Sequence, residues 1–154
     1  IAAAGSSDRA GWCLTLGADL VIDYGTSPQF AGEIREFSQD GVDVCIETTG
    51  SADLWSQLSS VAAKRGRVVG CGGHVGGQIP LDLFWLFRAR VTVMGSAAST
   101  RAAFVDALAL LAKQEVVAPV DRLVPFAEFR SAFDLLGDRN RIGKVVLEVC
   151  RPGT

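Results

Sequence analysis

The stretch "VDVCIETTGSADLWSQLSSVAAKRGRVVG", Val42–Gly70, decides the fold of this chain. It opens on "VDVCIE", apolar at Val42, Val44, Cys45 and Ile46, the length and content of a short buried strand. In "SADLWSQLSSVAA" the apolar residues Leu54, Trp55, Leu58 and Val61 share one helical face. "GRVVG" follows as a second strand. Short strands that are apolar throughout, alternating with amphipathic helices, belong to a parallel sheet covered on both faces.

The alternation continues outward in both directions. Before it, "IAAA" (Ile1–Ala4) is apolar, and "SSDRAGWCLTLG" offers serine caps and a helical stretch closed by Gly17. "DLVIDY" (Asp19–Tyr24) predicts a strand, after which Ser27 can cap a helix with Pro28 at its first position, running to about Phe37. Beyond Gly70, an aromatic segment leads into the strand "VTVMG" (Val91–Gly95). "RAAFVDALALLAK" carries a helical stripe of Phe104, Val105, Leu108 and Leu111. "FAEFRSAFDLLGD" repeats it with Phe129, Ala132, Phe133 and Leu136, and "GKVVLEV" closes as a strand. The fold class is therefore α/β, a Rossmann-like doubly wound parallel sheet with right-handed crossovers. Its ligands sit beyond the carboxyl ends of the strands.

Composition bounds the function. At 154 residues, 49% of them hydrophobic and with a net charge of −2, the chain is one domain's worth, not a disordered segment. The charge balance supports neither a nucleic-acid partner nor an anionic membrane surface. The apolar run Leu83–Phe87 is far too short to span a bilayer. Cys13, Cys45, Cys71 and Cys150 are scattered, without a C-x-x-C pair or a histidine at metal spacing. They fit buried thiols of a reducing, cytoplasmic compartment better than disulfides or zinc ligands. The chain opens at Ile1, inside an apolar run and without an initiator methionine, which suggests a piece of something longer.

"GRVVGCGGHVGG" (Gly66–Gly77) looks like a phosphate-cradling turn, and the spacing tests that. The dinucleotide fingerprint needs glycines at the first, third and sixth positions between a strand and a helix. Counting from Gly70, the third is Gly72 but the sixth is Val75, and Pro80 then prevents an immediate helix. The loop is not the phosphate cradle. It lies past a strand's carboxyl end, where its glycines would let a backbone approach a flat ring, or would simply make a flexible solvent loop. In dinucleotide folds an acid usually ends the second strand to bind the ribose hydroxyls, and none stands at Ala4 or Gly5. Ser6, Ser7 and Arg9 could instead hold a 2′-phosphate, or the serines could be helix caps. "ETTG" (Glu47–Gly50) ends another strand with the hydroxyls of Thr48 and Thr49 before Gly50, as a cap or as a ribose contact.

Taken in order, "IAAAGSSDR", "LGADLVIDY", "VDVCIETTG", "RGRVVGCGG", "VTVMGS", "TRAAFVDALALLA" and "IGKVVLEV" cover nearly the whole chain. The series resembles the cofactor half of medium-chain dehydrogenases/reductases, and within them the quinone oxidoreductase and zinc-type alcohol dehydrogenase-like branch. Each element is weak alone; the order and spacing make them strong together. The resemblance implies that residues 1–154 are a partial dinucleotide-binding domain whose last segment returns toward a catalytic domain, and that the sheet's first strand and glycine-rich turn are absent. It implies NADP rather than NAD, because Ala4 replaces the ribose-binding acid. Tyr24 and Arg139 would join the adenosine phosphate pocket, and Lys144 would face the pyrophosphate. Gly70 and Gly72, with the main chain around Cys71, would line the nicotinamide end, with Gly95 and Ser96 nearby. Each has a plainer alternative: Tyr24 capping the core, Arg139 solvated, Lys144 flanking an edge.

The implied reaction is hydride transfer between NADPH and a carbonyl, alcohol or activated alkene, a small-molecule substrate held by a longer protein. The chain alone is expected to be inactive. No catalytic residue is assigned; His74, the single histidine, sits beside the glycine loop but is more simply polar surface. The family's zinc-binding segments have no counterpart in this sequence, so zinc is possible only in a longer protein. A homodimer through the strand Arg90–Gly95 is expected, with the apolar "LDLFWLF" (Leu81–Phe87) beside it. The alternative is a non-catalytic Rossmann-like nucleotide-sensing or dimerisation module.

Overall fold

Every strand of the computed structural model, which describes residues 1–73, 77–138 and 140–149, runs parallel to its neighbour. The elements are β1 (Ala2–Ala4), α1 (Ser7–Thr15), β2 (Val21–Asp23), α2 (Ala31–Phe37), β3 (Val42–Glu47), α3 (Ala52–Val61) and β4 (Ala62–Gly70). They continue as α4 (Leu83–Ala89), β5 (Thr92–Gly95), α5 (Arg101–Ala112), β6 (Val120–Pro125), α6 (Phe129–Leu136) and β7 (Lys144–Glu148). The described residues thus form an α/β fold with parallel strands and six α-helices. The strands form three ladders: β1 with β2, β3–β4–β5, and β6 with β7.

The core lies where α2 and α3 pack together beneath the first two ladders. Phe30 and Val61 are fully buried there, among Ile22, Ile34, Cys45, Trp55 and Val68. Burial of such side chains is worth roughly 1.5–3 kcal/mol each, which makes this cluster the main adhesive between the ladders. Two polar contacts fix the helix pair. The Ala31 N–H donates to Gln57 Oε1 at 3.0 Å, and Arg35 Nη2 donates to the Ser60 carbonyl at 2.6 Å. Above the helices, β1 and β3 border one cleft of about 480 Å³. Among the described residues β1 pairs only with β2 and β3 only with β4, so each leaves an unpaired edge toward it.

Five sequence expectations need correction. The second helix starts at Ala31, not at Pro28, because Ser27 turns its hydroxyl to the Glu33 carboxylate while its own N–H donates to Asp23 O. The aromatic segment is itself a helix, α4, started by Asp82, whose Oδ1 accepts from the N–H groups of Phe84 and Trp85 at 2.8 and 3.1 Å. Strand β6 went unforeseen because Asp121, Arg122 and Pro125 break its apolar run and only Val124 is buried. The stripe on α5 faces no core: Phe104, Val105, Leu108 and Leu111 are exposed, as is every residue of that helix. On α6 only Ala132 is buried.

Candidate functional site

The cleft runs along β1 and β3, lined by Ala3, Val42, Val44 and Ile46, and reaches the carboxyl ends of both strands at Gly5 and Thr48; ligands of parallel α/β sheets sit at those ends. At the end of β1, Gly5 lies under the ring of Tyr24; a Cβ there would come within 2.9 Å of the phenol oxygen. The Tyr24 N–H donates to Ala4 O at 2.9 Å, continuing the ladder and fixing the ring's station. Arg9, from α1, and Thr48 and Thr49, beyond β3, line the same cleft. Gly5, Arg9, Tyr24, Thr48 and Thr49 are therefore brought together.

The serines behave differently. Ser6 holds the N-cap position of α1, but its side chain makes no capping bond. Ser7 Oγ donates to Asp23 Oδ2 at 2.7 Å, while Asp23 Oδ1 accepts from the Gly25 N–H at 2.9 Å. A carboxylate thus stands beside the hydroxyls that the sequence offered to a phosphate. Asp23 was not among the expected site residues, although the "VIDY" motif contains it.

Glu47 opens the "ETTG" stretch, but the sequence gives its side chain no role of its own. It is 4% exposed, the only buried charged side chain among the described residues. Its Oε1 accepts from the Thr49 N–H at 2.7 Å and from the Thr49 hydroxyl at 2.5 Å, and its Oε2 accepts from the Gly50 N–H at 2.8 Å. Burial alone would raise its pKa, but the bonds from Thr49 and Gly50 outweigh that and hold the carboxyl below its ordinary value. The signal in the sequence was an acid directly before two threonines and a glycine: a carboxylate followed by donors.

The glycine loop packs on this turn. The Cys71 N–H donates to Glu47 O at 2.8 Å and the Cys71 thiol to the same carbonyl at 3.4 Å. A Cβ on Gly72 would lie 2.1 Å from Thr48 O, and one on Gly77 would lie 2.4 Å from Gly50 O. Backbone meets backbone there, and only glycine permits it. Gly70 pairs with Gly95 across the ladder, and Gly70 O accepts from the Ser96 N–H at 2.9 Å. Gly70, Cys71, Gly72, Gly95 and Ser96 are thus a second group, joined to the cleft through Thr48–Gly50. Lys144 starts β7, with its N–H on Pro119 O at 2.9 Å, and is not among the residues lining the cleft. Arg139, His74 and Cys150 lie outside the described residues.

With this geometry in place, comparison with known proteins decides the family. The family model "Zinc-binding dehydrogenase" matches residues 1–113. The chain belongs to that family. "Alcohol dehydrogenase 2" of Caenorhabditis elegans is 26% identical over 136 residues, covering 88% of this chain and 38% of the relative. "NAD-dependent alcohol dehydrogenase" of Sulfolobus acidocaldarius is 28% identical over 144 residues, again 88% of this chain and 40% of the relative. The solved structure described as AibC superposes with a TM-score of 0.84 at 32% identity, covering 98% of this chain and 45% of that one. The zinc-binding dehydrogenase chain thus spans about two-fifths of the length of the curated relatives it matches. It corresponds to their cofactor-binding portion, the part of an oxidoreductase that holds a nicotinamide dinucleotide.

The residues can be tested against the groups that the family implies. Among the described residues no three His, Cys, Asp or Glu side chains converge as a metal site. A dinucleotide does fit. The cleft reaches Gly5 and carries hydroxyls at Tyr24 and Thr48 with a guanidinium at Arg9, while the Thr49 hydroxyl is already given to Glu47.

Proposed function

We propose that this chain holds NADP within a zinc-binding dehydrogenase that transfers hydride to or from a small carbonyl, alcohol or activated alkene. One observation carries the reading: Gly5, Arg9, Tyr24, Thr48 and Thr49, separated in sequence, meet around one cleft at the carboxyl ends of two parallel strands. The cofactor supplies the hydride when bound; the protein supplies position and a dry wall. Thr48 would face the adenosine ribose, and Arg9 and Tyr24, with Ser6, would face its 2′-phosphate. Beyond the Thr48–Gly50 turn, Gly70, Cys71 and Gly72, with Gly95 and Ser96 behind them, would form the backbone wall at the nicotinamide end. Lys144 and Arg139 would complete the phosphate contacts from the carboxyl-terminal segment. The protein is proposed to act in the cytoplasm as a homodimer that pairs Arg90–Gly95 across a twofold, since among the described residues β5 ladders only with β4 and leaves Val93 and Met94 exposed.

One observation favours NAD instead. The Asp23 carboxylate beside Ser7 would repel a phosphate and accept from ribose hydroxyls. Calorimetric titration of NADPH and NADH against the natural protein that carries this chain, and against the chain alone, decides between them. The expected result is tighter NADPH binding by the natural protein, lost about tenfold on Arg9→Ala, as removal of a charge-assisted contact implies. The chain alone should bind weakly and turn nothing over, because its 154 residues contain no G-x-G-x-x-G turn. Tighter NADH binding that weakens on Asp23→Ala would establish the NAD reading. No binding of either would refute both.

A further inference from the structure

Glu47 has no place in the contacts so far assigned to a cofactor, yet it touches both segments that would form them, its carboxylate bonding the Thr49–Gly50 turn and its main-chain carbonyl the glycine loop. Three donors converge on it: the Thr49 N–H, the Thr49 hydroxyl and the Gly50 N–H. The Thr49 hydroxyl in turn accepts from the Ser51 N–H at 3.0 Å, and Ser51 Oγ caps α3 by accepting from Leu54 N at 3.4 Å. The Glu47 carbonyl, on the same residue, accepts the Cys71 N–H. The Thr48–Gly50 backbone, so fixed, is the surface against which Gly72 lies with no room for a side chain.

We infer that Glu47 is a positioning residue that locks the Thr48–Gly50 turn and the Gly70–Gly72 loop into one rigid wall. The groups bonded to the carboxylate are all donors, so an ionised acid suits the site and a neutral amide does not. Glutamine could keep an oxygen toward Thr49 only by turning its NH₂ against the Gly50 N–H. A group whose folded pKa is depressed stabilises its surroundings fully above the ordinary carboxylate pKa of about 4.3 and loses that effect as the pH falls through the folded value. The rigidity of the loop should therefore carry an acid titration that belongs to a residue outside it.

This inference rests on the cofactor reading only for its biological meaning; its test needs no cofactor. Amide hydrogen exchange, corrected for intrinsic rates, is followed by NMR in the wild-type chain and in Glu47→Gln between pH 3 and 7. The expected result at pH 7 is a loss of protection of about tenfold or more at Thr49, Gly50 and Cys71 in the variant, with Val146 on β7 unchanged. Wild-type protection at Cys71 should also fall on acidification, while the variant's stays flat. If Glu47→Gln fails to fold, Thr49→Val removes one donor, and the wild-type acid titration stands by itself. Protection at Cys71 that ignores both the substitution and the pH, while Thr49 and Gly50 respond, would overturn the coupling. Coupling seen without any dinucleotide binding would leave it standing and remove the functional reading alone.

Discussion

At the scale of single residues, two neighbouring glycines of the loop do different work. Gly72 lies against the Thr48 backbone, whereas a Cβ on Gly73 would meet nothing within 4 Å. Gly72→Ala should cost about 1–3 kcal/mol, the range for overpacking a tight contact. Gly73→Ala should stay within about 0.5 kcal/mol, as for an unencumbered surface change. Urea unfolding of both variants checks the pair, and equal midpoints would contradict the packing described. This difference was not legible in "GCGG". The letters reveal that side chains are excluded, but not whether a ligand or the protein's own backbone does the excluding. Tyr24, Thr48 and Thr49 were legible because hydroxyls at strand ends are a local signal. The roles of Glu47 and Asp23 escaped notice because an acid's role depends on which donors the fold brings to it.

At the scale of elements, the strands were easier to place than the helix starts. β3 spans the expected Val42–Glu47, since a short apolar run between polar turns has few other solutions. Helix starts depend on which side chain wins the first free N–H groups. Ser27 looked like a cap and gives its hydroxyl to Glu33, while Asp82, unremarked in the sequence, caps α4 twice. Asp82→Ala should therefore destabilise the protein by about 1 kcal/mol, whereas Ser6→Ala, which removes no capping bond, should change stability little. Denaturant titration followed by circular dichroism measures both. The amphipathic stripe on α5 shows the limit of periodicity: it marks a face that some surface is to cover, without saying which.

At the scale of the whole molecule, the parallel α/β class was legible and the continuity of the sheet was not. Periodicity counts strands; it does not say whether neighbours in space are neighbours in sequence. The unladdered edge of β5 is where the proposed dimer would form, and Leu83, Phe84 and Phe87 of the preceding helix, 71%, 72% and 76% exposed, add apolar surface for it to cover. Light scattering should report a dimer that Met94→Glu converts to monomers, because the substitution sets like charges across a twofold. A monomer in both cases would remove that proposal.

The cleft between β1 and β3 has a consequence for solution behaviour. Its two long walls are strand edges whose amides and carbonyls lack ladder partners among the described residues. Unpaired edges of this kind are templates for a strand from another chain. A ligand settling at the mouth of the cleft and a strand sliding along its walls would claim the same space, and by mass action each would be linked to the other. The apparent affinity for a dinucleotide would then fall as the chain is concentrated. Occupancy of the site would in turn protect the chain from its own copies.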